Sequence, residues 1–333
     1  MNLLILGGTR FLGRHIVDAA LAAGHQVTLF NRGTRAGLFA GVEELRGDRA
    51  LGVDGLRALR GRRWDAVIDT CGYVPRLVRI SAEALHYSVG RYVFLSSISV
   101  YSDFAEAPDE TSPLAELADP SSEDIPRDYG ALKAACEGVV TATFGERALN
   151  IRPGLIVGPL DPTGRFTYWP LRLARGGEVL APADPAADVQ FIDARDLARW
   201  MLHLVESEVG GVFNATGPAA PLRFDSFLDR AARALGMQCR FTWVAADFLQ
   251  NEGVQAWTEL PLWVDDAPGL NRTRIARAIG AGLSFTALET TVTDTLAWAE
   301  QELRTRGPES LGSAGLKPEK EARVLAAWAH RAI

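Results

Sequence analysis

The chain has 333 residues, of which 47% are hydrophobic, and a net charge of −6. This length is enough to bury a large core, and the acidic balance argues against a nucleic-acid partner, which usually meets a basic surface. The three cysteines lack CxxC spacing and the histidines lack metal-ligand spacing, so we expect neither disulfides nor a metal site. No segment has the form of a signal peptide or a membrane span, and we therefore expect a cytoplasmic protein.

The first half of the chain alternates short apolar segments with helical patterns. Buried strands are predicted at residues 3–6, 27–30, 66–68, 92–95 and 149–151, with a weaker candidate at 43–45. Helices are predicted between them at residues 11–23, 51–59, 78–87 and 128–144. A strand–helix–strand order of this kind predicts an α/β fold with a Rossmann-type doubly wound parallel sheet.

The second half of the chain has a looser pattern that is rich in glycine, proline and aromatic residues. We expect a dinucleotide-binding Rossmann domain at residues 1–160 and a smaller substrate-binding lobe over most of residues 161–307. A segment at about 187–215, with strands at 189–192 and 211–214, should return to the Rossmann sheet. A linker and a C-terminal helix are predicted at residues 308–333.

A glycine-rich loop follows the first strand and opens the first helix. Its residues are Gly7, Gly8, Thr9, Arg10, Phe11, Leu12 and Gly13. In this position backbone N–H groups and the helix dipole meet the pyrophosphate of a dinucleotide; the alternative is a turn that merely needs glycine. Arg10 replaces the middle glycine of the usual GxxGxxG pattern, and its charge can serve a phosphate instead.

The end of the second strand bears on the choice of cofactor. An enzyme that selects NAD usually places an acidic residue here for the ribose hydroxyl, but this chain has Asn31 and Arg32, with Arg35 close by. Together with Arg10, these arginines can surround a 2′-phosphate. The pattern favours NADP(H) as the cofactor. NAD(H) stays possible, because the arginines can also be solvated surface residues.

Asp48 and Arg49 follow the third strand and are further candidates for cofactor contact. Asp48 is placed to accept a hydrogen bond from the adenine amino group. The alternative is that its carboxylate caps the helical segment that begins at Ala50. The sequence leaves both interpretations of Asp48 open.

Tyr129 and Lys133 are the candidate catalytic pair. Their spacing of four places both side chains on one face of the long helix. Free tyrosine has a pKa of about 10, and a nearby ammonium stabilises the phenolate, so that Tyr129 can exchange a proton with a substrate oxygen. Only three of the 35 basic residues are lysine, which favours a specific role for Lys133 over the alternative of a solvated helix face.

Three serines close the fifth strand: Ser96, Ser97 and Ser99. A hydroxyl at the carboxyl end of a parallel strand points into the crevice where ligands bind. We assign Ser97 to the substrate oxygen beside Tyr129, with Ser96 and Ser99 as competitors. The alternative for each serine is a cap at the end of the strand.

These motifs occur in an order that resembles the extended short-chain dehydrogenase/reductases, including an atypical branch related to the NAD-dependent epimerases and dehydratases. The resemblance rests on residues 7–13, 96–101, 129–133 and 152–159 and covers about residues 1–215. It implies a triad of Ser97, Tyr129 and Lys133, and a dimer formed through the helices after the fourth and fifth strands. It also implies that the following residues line the cofactor: Thr70, Cys71, Gly72, Lys133, Pro153 and Leu155.

Departures from the family pattern narrow the function. Ile98 and Ser99 stand where dehydratases of the family place an Asp-Glu pair, which argues against dehydration. Leu155 and Val189 replace an asparagine and an arginine of the sugar-nucleotide enzymes, which argues against a nucleotide-sugar substrate. Some plant members of the atypical branch bind RNA, and the acidic charge here argues against that activity.

Aromatic residues after position 165 are candidates for a substrate pocket. Phe166, Tyr168 and Trp169 are favoured within a group that also contains Trp243, Trp257 and Trp263. Ser99 and Tyr101 are further candidates for substrate contact. The alternative for most of the aromatic residues is structural packing.

The sequence therefore predicts an NAD(P)-dependent oxidoreductase that transfers hydride between the cofactor and a carbonyl or hydroxyl of a small molecule, with Tyr129 as acid and base. One alternative is a sugar or nucleotide-sugar epimerase with tightly bound NAD. Another is a non-catalytic sensor that binds NADP. We expect a homodimer, and neither a nucleic acid nor a membrane as partner.

Overall fold

The computed structural model describes residues 1–331, and a parallel sheet of seven strands forms its centre. The strands in chain order are β1 (Asn2–Leu6), β2 (Gln26–Asn31), β3 (Glu43–Arg46), β4 (Trp64–Asp69), β5 (Val89–Leu95), β6 (Ala148–Pro153), β7 (Ile156–Val157), β8 (Gly177–Pro182), β9 (Ile192–Asp193), β10 (Gly211–Ala215) and β11 (Cys239–Val244). The large sheet has the order β10-β6-β5-β4-β1-β2-β3 and is parallel throughout. This arrangement confirms the Rossmann-type α/β fold.

Helices cover both faces of this sheet. The helices of the described residues are, in chain order, α1 (Phe11–Ala22), α2 (Pro75–Leu85), α3 (Ile125–Phe144), α4 (Tyr168–Leu173), α5 (Ala194–Glu206), α6 (Phe224–Ala234), α7 (Ala246–Asn251), α8 (Ala276–Gly280), α9 (Leu288–Arg306) and α10 (Pro318–His330). Helices α1 and α5 pack on one face of the sheet, and α2 and α3 pack on the other. Within residues 1–331, no helix is long and apolar enough to cross a membrane.

The central strand β1 shows why these residues form a buried sheet. Successive side chains of a strand point to opposite faces, so Leu3 and Ile5 pack under α1 and α5, whereas Leu4 and Leu6 pack under α2 and α3. All four side chains are at most 2% exposed. A strand buried on both faces needs a continuous apolar run, which is the pattern that the sequence shows.

Two predicted elements differ from the structure. Of the strand predicted at residues 189–192, only the end belongs to a strand, β9, and this pairs with β7 outside the large sheet. The helix predicted at 51–59 is a 3₁₀ helix, Arg49–Leu59, that is interrupted at Gly52, where φ is +71°. An apolar pattern predicts burial, but it does not identify the hydrogen-bond partner. That partner determines which sheet a strand joins and whether a helix is an α-helix or a 3₁₀ helix.

The C-terminal half of the chain has a hydrophobic core of its own, built around the pair β8–β11 and helices α4, α6 and α9. Helix α10 is tied to it by Glu321, which forms a buried ion pair with Arg172 of α4 at 2.6 Å and accepts a hydrogen bond from the backbone N–H of Leu180 at 3.0 Å. Strand β10 nevertheless joins the large sheet beside β6. The domain boundaries given above stay a prediction. The last two residues of the predicted C-terminal segment, 332–333, lie outside the described residues.

A buried ion pair fixes the loops at one end of the sheet. Arg49 donates to both carboxylate oxygens of Asp69 at 2.7 and 2.9 Å, and Asp69 is fully buried at the end of β4. Ser81 accepts a further hydrogen bond from Arg49, and the hydroxyl of Tyr92 donates to Asp69. The network joins the 3₁₀ helix to β4, α2 and β5, and the Arg49 charge holds the pKa of Asp69 below its usual value in spite of burial.

We expect Asp69→Asn to destabilise the protein strongly. The change leaves the Arg49 guanidinium buried without its counter-charge, a loss that costs about 3–5 kcal/mol in comparable sites. Urea unfolding at neutral pH, followed by circular dichroism, measures the change in the free energy of unfolding.

Asp54→Asn is the matched control, because Asp54 pairs with Arg60 at 3.7 Å on the surface with both side chains exposed. Its urea midpoint should stay close to that of the unmodified protein, since exposed ion pairs contribute little. Equal effects of the two substitutions would contradict the structural role of the buried pair.

Candidate functional site

One large cavity opens where the strands of the sheet end. Its volume is about 1150 Å³, which exceeds the ~300–1,000 Å³ of pockets that hold a single small molecule. The wall is formed by the loops after β1, β2, β4, β5 and β6, by helix α3 and by the segment 256–270. The cavity therefore has room for a dinucleotide together with a small substrate.

The glycine loop forms one end of this cavity. Gly7 has a φ of +97°, and a side chain there would place its Cβ 2.5 Å from the hydroxyl of Thr70. Helix α1 begins at Phe11, within this segment, and Arg10 at its N-cap makes no side-chain hydrogen bond to the first turn. The free N–H groups of that turn fit a pyrophosphate. The predicted loop residues that line the cavity are Gly7, Gly8, Thr9, Arg10, Phe11, Leu12 and Gly13.

Two arginines stand exposed on the cavity near the loop. Arg10 and Arg32 line the cavity, and neither has a carboxylate within salt-bridge distance in the part of the chain that the structure describes. The side chain of Asn31 accepts a hydrogen bond from the N–H of Gly33 at 2.7 Å, which forms the tight turn that carries Arg32. The site thus offers two positive charges that no carboxylate among residues 1–331 pairs with.

Four predicted cofactor residues do not line this cavity: Arg35, Asp48, Arg49 and Gly72. Arg35 is exposed outside it. Asp48 accepts a hydrogen bond from the backbone N–H of Ala50 at 2.9 Å, which is the helix-cap alternative, and Arg49 is committed to Asp69. The cofactor assignment of Arg49 is corrected, because its charge is paired inside the protein. Contact of Asp48 with the adenine amino group stays a prediction, since its carboxylate is partly exposed and the cap uses one of its oxygens.

The remaining predicted cofactor residues lie around the cavity as expected from the resemblance. Thr70 and Cys71 follow β4, and Pro153 and Leu155 follow β6. The hydroxyl of Thr70 donates to the carbonyl of Leu6 at 2.8 Å, which ties the end of β4 to the start of the glycine loop. Adjacent strand ends therefore share one binding edge.

Ser97 and Tyr129 are neighbours in the cavity wall. Ser97 lies at the end of β5, accepts a hydrogen bond from the N–H of Ser99 at 3.1 Å and donates one to the Ser99 hydroxyl at 3.0 Å. Its side chain is near enough to Tyr129 to lower the pKa of the phenol. Helix α3 comes this close because of Gly130, where a Cβ would lie 2.0 Å from the carbonyl oxygen of Ser99. Ser97 therefore serves both as a cap, the alternative noted from sequence, and as a partner of Tyr129.

The pKa of Tyr129 is set by opposing effects. Burial raises it above the ordinary value of tyrosine, and this is the largest effect. The side chain of Ser97 and the positive charge of Arg165 both lower it. The net pKa of Tyr129 is raised, so its phenol is protonated at neutral pH.

Lys133 lines the cavity and is held by backbone carbonyls after β4 and at the end of β5. Its ammonium donates to the backbone carbonyls of Gly72, at 2.8 Å, and Leu95. It also faces the ring of Phe94, 4.4 Å from the ring centroid. Burial lowers the pKa of Lys133 to about 8. The positive charge that acts on Tyr129 in this arrangement is Arg165, and a direct effect of Lys133 on Tyr129 stays a prediction.

The predicted substrate residues after position 165 lie in a core instead of at the cavity. Phe166 and Trp169 are fully buried and Tyr168 is 8% exposed, and none of the three lines the cavity. They pack with Phe224 and Phe227 in the core of the C-terminal half, and this corrects the pocket assignment. Their role in this structure is core packing, which is the alternative given for them in the sequence analysis.

Ser99 and Tyr101, the other predicted substrate contacts, have different surroundings. Ser99 lines the cavity next to Ser97. Tyr101 is buried away from it, because its hydroxyl donates to Asn214 at 2.6 Å and accepts from Arg152 at 3.1 Å. A hydroxyl with two buried partners is not free to bind a ligand, so Tyr101 is removed from the substrate group.

Sequence reasoning missed several residues of the cavity wall. They are Tyr73, Phe104, Asp161, Thr163, Arg165 and Leu270. In a chain that uses arginine almost everywhere, Arg165 carries no signal of its own. Trp257 and Trp263 line the cavity and belong to the wider aromatic group named from sequence. Their residue type does not distinguish them from Trp169, which is buried in the core.

We expect Ser97→Ala to raise the pKa of Tyr129 further, because the hydroxyl that stabilises the phenolate is lost. Ultraviolet difference titration of tyrosinate formation measures the shift, and subtraction of the Tyr129→Phe titration isolates the group. Ser96→Ala is the matched control, since the buried hydroxyl of Ser96 has no hydrogen-bond partner in the structure. A tyrosine titration that responds equally to both changes contradicts the assignment.

Comparison with known proteins agrees with this geometry. Residues 76–216, which include β5, α3 and β6, match the model of the NAD dependent epimerase/dehydratase family. The match covers less than half of the chain, and over these residues the chain is similar to this family. The matched segment contains Ser97 and Tyr129, and the glycine loop precedes it in the sequence.

Two curated relatives differ in what their names describe. The chain is 29% identical over 253 residues to the chloroplast stem-loop binding protein of 41 kDa b of Arabidopsis thaliana, an alignment that covers 71% of this chain and 63% of that protein. It is 28% identical over 247 residues to the 2'-dehydrokanamycin reductase of Streptomyces kanamyceticus, covering 71% and 67%. The chain thus spans about two thirds of the length of these relatives.

A solved structure shows the same fold over nearly the whole chain. The Bordetella bronchiseptica enzyme WbmH in complex with NAD+ superposes with a TM-score of 0.65 over 92% of this chain and 99% of that one. The two sequences are 19% identical, a level at which the likeness concerns the fold alone.

Proposed function

We propose that this chain is an NADP(H)-dependent carbonyl reductase and alcohol dehydrogenase that acts on a small molecule. The observation that carries the proposal is the composition of one cavity. It joins a glycine loop at a helix N-terminus, the unpaired charges of Arg10 and Arg32, and the neighbouring side chains of Ser97 and Tyr129. The name of the Streptomyces relative, a reductase, supports the same direction of reaction.

The chemistry follows from the positions of Ser97 and Tyr129. A bound nicotinamide supplies the hydride for reduction or accepts it in oxidation. The hydroxyl of Ser97 orients the substrate oxygen, and Tyr129 gives its proton to that oxygen during reduction and removes it during oxidation. Because burial raises the pKa of Tyr129, the protonated phenol is ready at neutral pH, and this favours reduction. Lys133 supports the floor of the cavity through Gly72 and Leu95.

Preference for NADP(H) rests on the two cavity arginines. A 2′-phosphate next to Arg10 and Arg32 would gain charge-assisted hydrogen bonds. NAD(H) lacks that phosphate, and no acidic side chain follows β2 at residues 31–35 to receive its ribose hydroxyl.

We expect Arg32→Ala to weaken NADPH binding by about 10- to 100-fold and to leave NADH binding nearly unchanged, since the loss is one charge-assisted contact. Titration calorimetry measures both dissociation constants. Arg35→Ala is the matched control: Arg35 is an arginine of the same turn that is exposed outside the cavity, so its removal should change neither constant. Tighter binding of NADH than NADPH by the unmodified chain would contradict the proposed specificity.

We expect Tyr129→Phe to lower kcat for carbonyl reduction by about 100- to 10,000-fold, the usual contribution of a positioned acid. NADPH affinity, measured in parallel, should be retained, because the ring stays and only the hydroxyl is removed. Full activity in this variant would contradict the role of Tyr129 and would favour a non-catalytic sensor.

Epimerisation with a tightly held cofactor is the second candidate, supported by the description of the family. It is weakened by Val189, which is fully buried in the C-terminal core at the position expected to bind a diphosphate, and by Leu155 in place of an amide. Net consumption of NADPH with a carbonyl compound separates the two functions, since epimerisation consumes none. The proposal also takes a second copy of the chain as partner and, from the net charge of −6, no nucleic acid.

A further inference from the structure

The wall of the cavity near Tyr129 carries a positive charge that the reaction described above does not use. We propose that Arg165 forms an anion-binding subsite, and that the substrate is a planar carbonyl compound bearing a carboxylate or a similar anionic group. This inference rests on the proposed reduction at Tyr129 and specifies its substrate class.

Arg165 is partly buried, yet it has no ion-pair partner within residues 1–331. The one hydrogen bond of its side chain runs from Nε to the hydroxyl of Thr163 at 3.3 Å. The neighbouring acid, Asp161, uses its oxygens on the N–H and hydroxyl of Thr163 at 2.8 to 3.0 Å. Asp161 acts on Arg165 electrostatically, but it makes no salt bridge with the guanidinium. A ligand anion in the cavity can therefore make the direct charge-assisted contact that Asp161 does not make.

The position of Arg165 is fixed by an aromatic side chain. The guanidinium lies over the ring of Trp257, 5.3 Å from its centroid. Trp257 has a φ of +65°, a strained conformation for a bulky residue, and its N–H donates to the carbonyl of Trp263 at 3.1 Å. Strain of this kind persists where the surroundings hold it, and it occurs often at ligand sites. Arg165 is therefore presented to the cavity by a rigid wall.

The neighbouring wall is apolar and aromatic. Trp257, Trp263, Phe104 and Leu270 line the same cavity as Arg165. Flat aromatic surfaces favour a planar ligand body, which stacks on them at little entropic cost. The subsite thus combines a surface for a planar group with one cation for an anionic substituent.

The reacting atoms and the subsite belong to one space. Tyr129, Ser97 and Arg165 line a single cavity, and the charge of Arg165 reaches Tyr129 strongly enough to lower the pKa of its phenol. An anion bound at Arg165 would screen that charge. The phenol would then remain protonated in the complex, which is the state that reduction requires.

The test compares para-formylbenzoate with its methyl ester, two planar aldehydes that differ in charge. Both are titrated into the full chain loaded with NADPH, and their dissociation constants are measured by calorimetry. We expect the unmodified chain to bind the carboxylate at least ~10-fold more tightly than the ester, the effect of one charge-assisted contact. Arg165→Met should abolish this preference, and Arg165→Lys should keep part of it.

Arg304→Met is the matched control, since Arg304 is exposed on α9 and outside the cavity wall; it should keep the full preference. Equal affinity for the two aldehydes in the unmodified chain, absence of binding of both, or a preference that survives Arg165→Met would overturn the subsite. Tight binding of the carboxylate without its reduction would leave the subsite standing and count against the proposed function instead.

Discussion

All seven strands of the large sheet run in one direction, so every strand delivers its carboxyl end to the same edge. Between β1 and β4 the strand order reverses, and a crevice forms where the following loops turn apart. The glycine loop after β1, Thr70 after β4 and Ser97 after β5 meet there. Helix α3 adds Tyr129 because Gly130 permits its backbone to approach Ser99. The functional residues converge as a result of strand direction, although they are far apart in sequence.

Ion pairing divides the arginines around the site into two groups. Arg49 is fully matched by Asp69 and holds the loops behind the site. Arg10, Arg32 and Arg165 face the cavity and have no carboxylate within salt-bridge distance among residues 1–331. Because their guanidinium groups are free to form charge-assisted hydrogen bonds, we expect these three arginines to bind the anionic parts of cofactor and substrate. The molecule thus uses one residue type for two opposite purposes.

The fold and the placement of Tyr129 and Lys133 at one cavity could be predicted from sequence, because both depend on short-range patterns. The apolar runs of the central strands and the spacing of Tyr129 and Lys133 are local features. The wall of the substrate side depends on long-range packing instead: Trp169 enters the core of the C-terminal half, whereas Trp257 faces the cavity, and nothing in their local sequences separates them. Arg49 and Arg165 differ in the same way, through partners distant in the chain.

The central claim is that Tyr129 and a bound nicotinamide carry out net reduction of a carbonyl group. The most direct measurement follows deuterium from NADPH labelled on the nicotinamide carbon that releases hydride, using mass spectrometry of the alcohol formed from para-formylbenzoate. The account predicts that deuterium enters the alcohol, that NADPH is consumed in equal amount, and that Tyr129→Phe suppresses the transfer. Bound cofactor that is never consumed, or an alcohol that carries no label, would contradict it.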